Sequence, residues 1–253
     1  MKKVFVGLLT AASLASADFI GVSAGAGMWQ ENIDGYVKSG NSINYLSKED
    51  NDPNTGNLKL SNEIKPYVWV KVIHPIPILP NIKAEYRQYH SVGRDGTVVG
   101  ETDFYGAKIN AAGTADTDLT INSYDITAFY EMKLFFDVEA GFGVNVLDGK
   151  TDILVNNSDR YISNWTVPVP YLYGRVETPT LWGISVEAQA KYLEVSTAFY
   201  HDYQAGIKYH LPTPVVDVYF STGYKQQEIY GKDGDDETDI KFSGAYAEVG
   251  AKW

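Results

Sequence analysis

PYVWVKVIHPIPILPNIKAEYRQYHSV, residues Pro66 to Val92, decides the fold. Its first arm places Ile64, Pro66, Val68, Val70 and Val72 on one parity, and its second places Ile82, Ala84, Tyr86, Gln88, His90 and Val92 on one. The opposite parities carry Lys65, Lys71, Lys83, Glu85 and Arg87, so charge lies opposite a mostly apolar face. Successive side chains of a strand point to opposite faces, so the pattern reads as two half-apolar strands. The link PIPILP lacks the donors to continue a ladder and forces a reversal. The unit is a β-hairpin, and it recurs along the chain.

Period-2 alternation gives about ten strands, with eight or twelve also fitting the boundaries. Before the hairpin, Phe19 to Trp29 alternates Ile20, Val22, Ala24, Ala26 and Met28 with Gly21, Ser23, Gly25 and Gly27. After it, Leu119 to Met132 sets Tyr124, Ile126, Ala128 and Tyr130 against Asp125, Thr127 and Glu131. Phe135 to Leu147 is the cleanest case, with Phe142, Val144 and Val146 opposing Asp137, Glu139 and Asn145. Trp165 to Glu177 follows, weakened at its start by Pro168 and Pro170. Next come Ile184 to Tyr192, Tyr203 to Leu211, Val216 to Ser221 and a final strand ending at Trp253.

The connections alternate long and short. Polar loops are expected at Gln30 to Asn57, Gly93 to Asp118, Asp148 to Asn164 and Gly231 to Asp239, with a shorter link at Phe199 to Asp202; Pro-containing short turns include Thr178-Pro179-Thr180 and Pro212-Thr213-Pro214. Tight turns at one end and long loops at the other are the asymmetry of a membrane barrel, whereas a β-sandwich has no reason to keep one end short. The expected fold is therefore all-β: a transmembrane antiparallel up-and-down barrel with short periplasmic turns and long external loops. No run reaches the roughly 18 to 20 apolar residues of a spanning helix.

Met1 to Ala17 stands outside that fold. Lys2 and Lys3 precede the apolar run Val4 to Leu14, and Ala15-Ser16-Ala17 supplies small residues for cleavage, so a secretory signal is expected to be removed near Ala17. The barrel domain is then 18–253 and its location the bacterial outer membrane. There is no Cys, which excludes disulfides, thiolate metal sites and a lipid-anchored cysteine. The formal net charge of −11 argues against nucleic acid as a partner. Tyrosine, at 19 residues, suits strands and membrane interfaces, and 23 glycines leave room for bulky neighbours inside a barrel.

HPIPILPNIK at His74 to Lys83, VPYLYGRVE at Val169 to Glu177, YHDYQAGIKY at Tyr200 to Tyr209 and the ADFIGVSAGAGMW start together resemble a family of small proteobacterial outer-membrane β-barrel proteins of unassigned function. The resemblance covers most of the mature chain. It implies the barrel and carries no catalytic residues. Trp253, with Ala247, Val249 and Ala251 on its parity, resembles the terminal strand that outer-membrane assembly machinery reads, where phenylalanine is the commoner last residue.

Assigning the apolar parity to lipid puts both signs of charge in the lumen. The candidates are Lys71, Lys83, Glu85, Arg87, Asp125, Glu131, Asp137, Glu139, Arg175, Glu187, Lys191, Lys208 and Asp217. The basic ones would each cost about 2–4 kcal/mol facing lipid near the midplane. Two readings follow: a salt-bridged interior that stabilises a structural or surface-interaction barrel, or a narrow ion path, cation-preferring if acidic loops set the entrance potential. Long polar loops favour the first and lumenal glycine the second.

Catalysis has four histidines to draw on. His74 and His210 fall near periplasmic turns; His90 beside Ser91, and His201 beside Asp202, point away from their neighbours, so an outer-membrane lipid or peptide hydrolase is a third reading and not the expected one. No cofactor is implied. Asp50, Asp52 and Asn54 space oxygens as calcium loops do but lack the distal bidentate Glu. The expected partners are outer-membrane lipid, lipopolysaccharide and the assembly machinery.

Overall fold

The structure is a computed structural model that describes residues 20–47, 55–76, 78–100, 102–104, 107–211, 213 and 216–253. The proposed signal, the calcium candidates Asp50, Asp52 and Asn54, and Pro77, Pro212 and Pro214 lie outside the described residues. The strands are β1 (Gly21–Ser39), β2 (Ser42–Tyr45), β3 (Thr55–Asn57), β4 (Glu63–Ile73), β5 (Asn81–Val98), β6 (Thr102–Phe104), β7 (Ala107–Ile109), β8 (Gly113–Lys133), β9 (Asp137–Val155), β10 (Asp159–Glu177), β11 (Ile184–Val195), β12 (Ala198–Leu211), β13 (Asp217–Asp233) and β14 (Asp236–Lys252).

Ten of these close a ring. β1 pairs with β4, β4 with β5, β5 with β8, each later strand with the next, and β14 with β1, always antiparallel. Closure leaves the ring no edge over the height where all ten staves overlap. Trp253 N–H donates to Val22 O at 2.8 Å, so the last residue helps fasten the seam. β2 and β3 are inserted between β1 and β5 at the end with long connections, and β6 and β7 form a separate two-stranded hairpin. That end is called the hairpin end below, and the opposite one the turn end.

The apolar parity faces outward. Val68, Ile82, Ile126, Phe142, Leu172, Val186, Ile207, Phe220 and Val249 are all exposed. In water this band would be an aggregation surface; against acyl chains it is what a barrel wall requires. Exposed aromatics border it on both sides, with Tyr130, Phe135, Phe136, Trp182 and Tyr209 toward the turn end and Tyr124, Tyr192, Tyr203 and Tyr224 toward the hairpin end. Such rings sit where an apolar body and a wet hydroxyl are both satisfied.

The five expected connections at the hairpin end are largely ladder. β9 and β10 pair through Asp148 to Asn164 with a turn only at 156–158, and β13 and β14 turn at 234–235. Phe199 to Asp202 lies within β12, whose hairpin with β11 turns at Ser196 and Thr197. β1 runs on to Ser39, and β5 and β8 extend to Val98 and back to Gly113. The reason is an inversion of polarity along each strand. On β9, Phe142, Val144 and Val146 point out while Glu139 and Asn145 point in; higher up, Asp148, Lys150 and Asp152 point out while Leu147, Ile153 and Val155 are buried. β8 inverts in the same way above Tyr124, where Leu119 and Ile121 become the inner residues. Beyond the bilayer the outer face meets water, so the apolar side must turn inward.

Pro168 and Pro170 do not end β10, which pairs with β9 through both. Thr178 N–H donates across the other seam to Val186 O (2.9 Å). In a regular ladder alternate residues share that direction, so the two prolines would have no N–H to offer β9 in any case.

Inward glycines are seats for rings. Gly25 lies opposite Trp69, Gly27 opposite Tyr67, Gly143 opposite Tyr171 and Gly250 opposite Tyr219, and a Cβ on any of the four would overlap the facing ring. Lumenal glycine therefore makes room for bulky neighbours, as expected, and the rings it admits fill the interior, which removes its support for the channel reading. At Gly143 the Cβ would also meet Ile126 O, which cannot swing away, whereas at lipid-facing Gly174 it would meet nothing. Gly143→Val should therefore destabilise the refolded barrel in urea by about 1–3 kcal/mol, as overpacking does. Gly174→Val should stay within about 0.5 kcal/mol.

Candidate functional site

The interior has three levels, each set by which residues the inward parity supplies. At mid-height β5, β8, β11 and β12 bring Arg87, Asp125, Lys191 and Asp202 together, all essentially inaccessible. Arg87 reaches Asp202 at 2.5 Å, Glu85 at 2.7 Å and Gln227 Oε1 at 3.1 Å. Lys191 contacts Asp125 at 2.9 Å and Asp202 at 3.9 Å. Tyr171 donates to Asp125 at 2.6 Å, and Asn145 donates to Tyr200 at 3.0 Å. These are cross-lumen contacts: Arg87 and Asp202 belong to strands that are not neighbours in the ring. A buried charge is tolerated only when paired and hydrogen-bonded, and each charge here meets at least one of opposite sign.

Below that level lies a polar cavity of about 450 Å³ reaching toward the turn end. Glu139 receives Lys71 at 2.9 Å, Arg175 at 2.7 Å and the Tyr173 hydroxyl at 2.8 Å. Arg175 and Lys208 share Glu187 at 3.0 and 2.8 Å, and both contact Glu177. Lys225 also lines the cavity; its ammonium sits 3.6 Å from the Tyr67 ring centre, and the Tyr67 hydroxyl donates to Glu248 at 2.8 Å.

Above the charged level the lumen becomes a dry core. Tyr89 stacks on Phe242 with ring centres 4.4 Å apart and meets Trp29 edge-on at 5.7 Å. Higher still, Val37, Leu46, Leu58, Ile109, Leu119 and Ile153 are buried together. Leu46 and Leu58 come from the insertion between β1 and β4, so the segments expected as solvated loops fold back as a lid.

Of the thirteen lumenal candidates, Lys71, Lys83, Glu85, Glu131, Asp137, Glu139, Arg175, Glu187, Lys208 and Asp217 line the cavity, while Arg87, Asp125 and Lys191 lie deeper. Asp202, Lys225, Gln227 and Glu248 belong to the same network and escaped the sequence reading. Extending the parity of β12 up to Tyr200, and of β13 up to Gln227, would have found three of them.

The histidines go four ways. His90 points outward 3.3 Å from Asp118, while Ser91 points inward to Ser61 O. His201 is stacked on the outer wall between Tyr192 and Phe199. His74 caps the first turn through Pro80 O at 3.0 Å. His210 Nε2 lies 3.0 Å from Ser185 Oγ, and its Nδ1 lies 3.1 Å from Asp217, a triad-like row at the turn end. Ser185 Oγ is buried, however, and also donates to Glu177 at 2.8 Å, beneath the cavity wall where substrate cannot reach it. The row reads as a strut joining β11, β12 and β13.

No known family model and no curated protein sequence matches the chain. Among solved structures it is similar to the outer membrane protease OmpT of Escherichia coli, at 9% identity over 94% of this chain and 97% of that one, with a TM-score of 0.42. It is also similar to Ail, the attachment invasion locus protein of Yersinia pestis (10% identity, 91% and 99% covered, TM-score 0.31). A third is the outer membrane protein OprG of Pseudomonas aeruginosa (9% identity, 93% and 96% covered, TM-score 0.31).

Removing one partner of the mid-level cluster should cost far more than removing a pair. Lys191→Met leaves Asp125 buried without its cation and should lower stability by about 3–5 kcal/mol in urea unfolding. Adding Asp125→Asn should recover at least half of that loss, which a double-mutant cycle measures directly.

Proposed function

We propose that the protein is an outer-membrane barrel with a closed interior, whose role is structural and surface-interacting and is exercised by its outer wall and hairpin end. The observation that carries this reading is the filled lumen: a charged level without solvent access, capped by an apolar core. A pore needs a continuous polar path, and buried Leu46, Leu58 and Phe242 offer an ion none. On this reading Met1 to Ala17 exports the chain, Trp253 marks it for the assembly machinery, and the exposed apolar band with its two aromatic borders meets membrane lipid and lipopolysaccharide.

One observation favours a narrow channel as the second reading. The turn-end cavity is large enough for hydrated ions and is lined by both signs of charge. It would serve as a vestibule if the charged level opened, and cation preference would follow from the acidic hairpin tips.

Planar-bilayer recording of the refolded mature protein under a salt gradient separates the two. The expected result is a silent membrane from a folded, heat-modifiable barrel. Discrete steps with a reversal potential toward the cation value, altered by Glu139→Gln or Arg87→Gln, would overturn the closed reading.

A further inference from the structure

The connections at the turn end are apolar. HPIPILP at His74 to Pro80, LFF at Leu134 to Phe136, TPTLW at Thr178 to Trp182 and LPTPVV at Leu211 to Val216 contain no Lys, Arg, Asp or Glu. In the first three the large side chains stand in the open: Ile76, Ile78, Leu79, Leu134, Phe135, Leu181 and Trp182 are all exposed, Ile78 to 84%. Apolar surface gathered in this way marks a contact with membrane or with another molecule.

The β4–β5 turn shows what covers them. On β5 the outward row is apolar only from Ile82 to Tyr86, after which come Gln88 and His90. That is about 13 Å along a strand. At a barrel's usual tilt it gives about 10 Å of height, against an apolar band of about 25 Å. Tyr86 lies opposite Tyr124 at the hairpin-end border, so the missing height is below Ile82. Neighbouring β8 continues there: Ile82 pairs with Ala128, and the chain before Asn81 runs level with exposed Tyr130 and Met132. The Tyr130 hydroxyl donates to Ile78 O at 2.9 Å. The turn therefore stands in the wall where β5 falls short, and Ile76, Ile78 and Leu79 continue the band.

A turn can lie against lipid only if its backbone polar groups find partners within the protein. Pro75, Pro77 and Pro80 bring no N–H at all. His74 N–H donates to Asn81 Oδ1 at 3.1 Å, Ile76 N–H to His74 Nδ1 at 3.2 Å and Leu79 N–H to Ile76 O at 3.2 Å. With Nδ1 accepting, His74 carries its proton on Nε2 and donates it to Pro80 O at 3.0 Å. The carbonyls of Ile76, Ile78 and Pro80 are thus all engaged. In an aqueous turn water would satisfy these groups; here the chain does so itself.

We propose that the turn from His74 to Asn81 is a lipid anchor, with Ile76, Ile78 and Leu79 seated at the boundary of acyl chains and headgroups in the leaflet at the turn end. Leu134, Phe135, Leu181 and Trp182 lie in the same layer. The proposal rests on the membrane-barrel reading and goes beyond it, because the turns of such a barrel are otherwise expected to stand in water. Phospholipid is the occupant because the tip continues the lipid-facing wall without a polar break: Asn81, the one polar side chain between Ile78 and Ile82, is buried. Without the anchor the short wall of β5 would have to be met by thinning of the bilayer. The mouth of the turn-end cavity, lined by Leu134, Phe135 and Pro179, then opens among headgroups.

The chain has no cysteine, so Ile78→Cys gives a single attachment point for a nitroxide label. The labelled mature barrel is refolded into phosphatidylcholine–phosphatidylethanolamine vesicles, and electron paramagnetic resonance compares collisions with oxygen, which concentrates in lipid, and with a water-soluble nickel chelate. At Ile78→Cys the oxygen effect should exceed that of the chelate by about threefold or more, as it should at Phe142→Cys in the middle of the band. At Asp235→Cys, on the exposed β13–β14 tip, the chelate should dominate. Should Ile78→Cys not give a heat-modifiable barrel, Leu79→Cys carries the same expectation. Chelate dominance at position 78 with oxygen dominance at position 142 would overturn the anchor, leave the barrel standing and hand the apolar tips to a partner in the aqueous phase. Chelate dominance at both would overturn the membrane-barrel reading beneath it.

Discussion

In a closed ring of strands every side chain has only two places to go, and the rest of this structure depends on that constraint. Where the ring crosses lipid, a charged residue on the wrong parity has no partner and no water, so charge is forced to the lumen. The lumen of ten strands is narrow, and the charges that arrive there meet one another across it. Arg87, Asp202, Lys191 and Asp125 thus close the interior because the wall excluded them from outside. The seal is a consequence of the membrane.

The same constraint explains why the barrel is built in two media. Through the bilayer it is apolar outside and polar inside; beyond it the arrangement reverses, and the inner residues of β1, β8, β9 and β14 become Ile33, Ile121, Ile153 and Ile240. The upper part is packed like a water-soluble β-structure on a membrane-embedded base. The insertion between β1 and β4 supplies Leu46 and Leu58 to its core because that core would otherwise open to water at the top. A lid of apolar side chains is cheaper to keep in place than a hydrated loop over an apolar hole.

How far the sequence was legible follows from where this reversal falls. Inside the bilayer the alternation of strands such as Phe135 to Leu147 is unambiguous, and a closed ring of about ten strands with its inward parity follows from it, while eight or twelve strands also fit the boundaries. Above the bilayer the ladder continues but hydrophobic and polar residues exchange faces, so LDGKTDILV reads as loop when taken with the lower parity. The charged cluster was legible to the extent that its members lay below the reversal. Asp202 and Gln227 lie at the boundary, and Lys225 was lost because the β13 pattern was ended at Ser221. That glycines make room for bulky neighbours was legible, but which rings they admit, and hence that they close the lumen, was not: Gly143 faces Tyr171 only once the register between β9 and β10 is known.

The tall hairpins inherit their stiffness from that upper core. A β-hairpin standing alone in water is marginal, and an unpaired strand would fray. Here β10 continues about a dozen residues beyond its last partner on β11 without fraying, because Tyr161 and Trp165 anchor its inner face and Arg160 ties its outer face to Asp152. Closing the lumen and holding an external strand in the extended state are therefore two results of one apolar core. A barrel that conducted through its centre would have to give up that core, and with it the rigidity of the hairpins it presents to the outside.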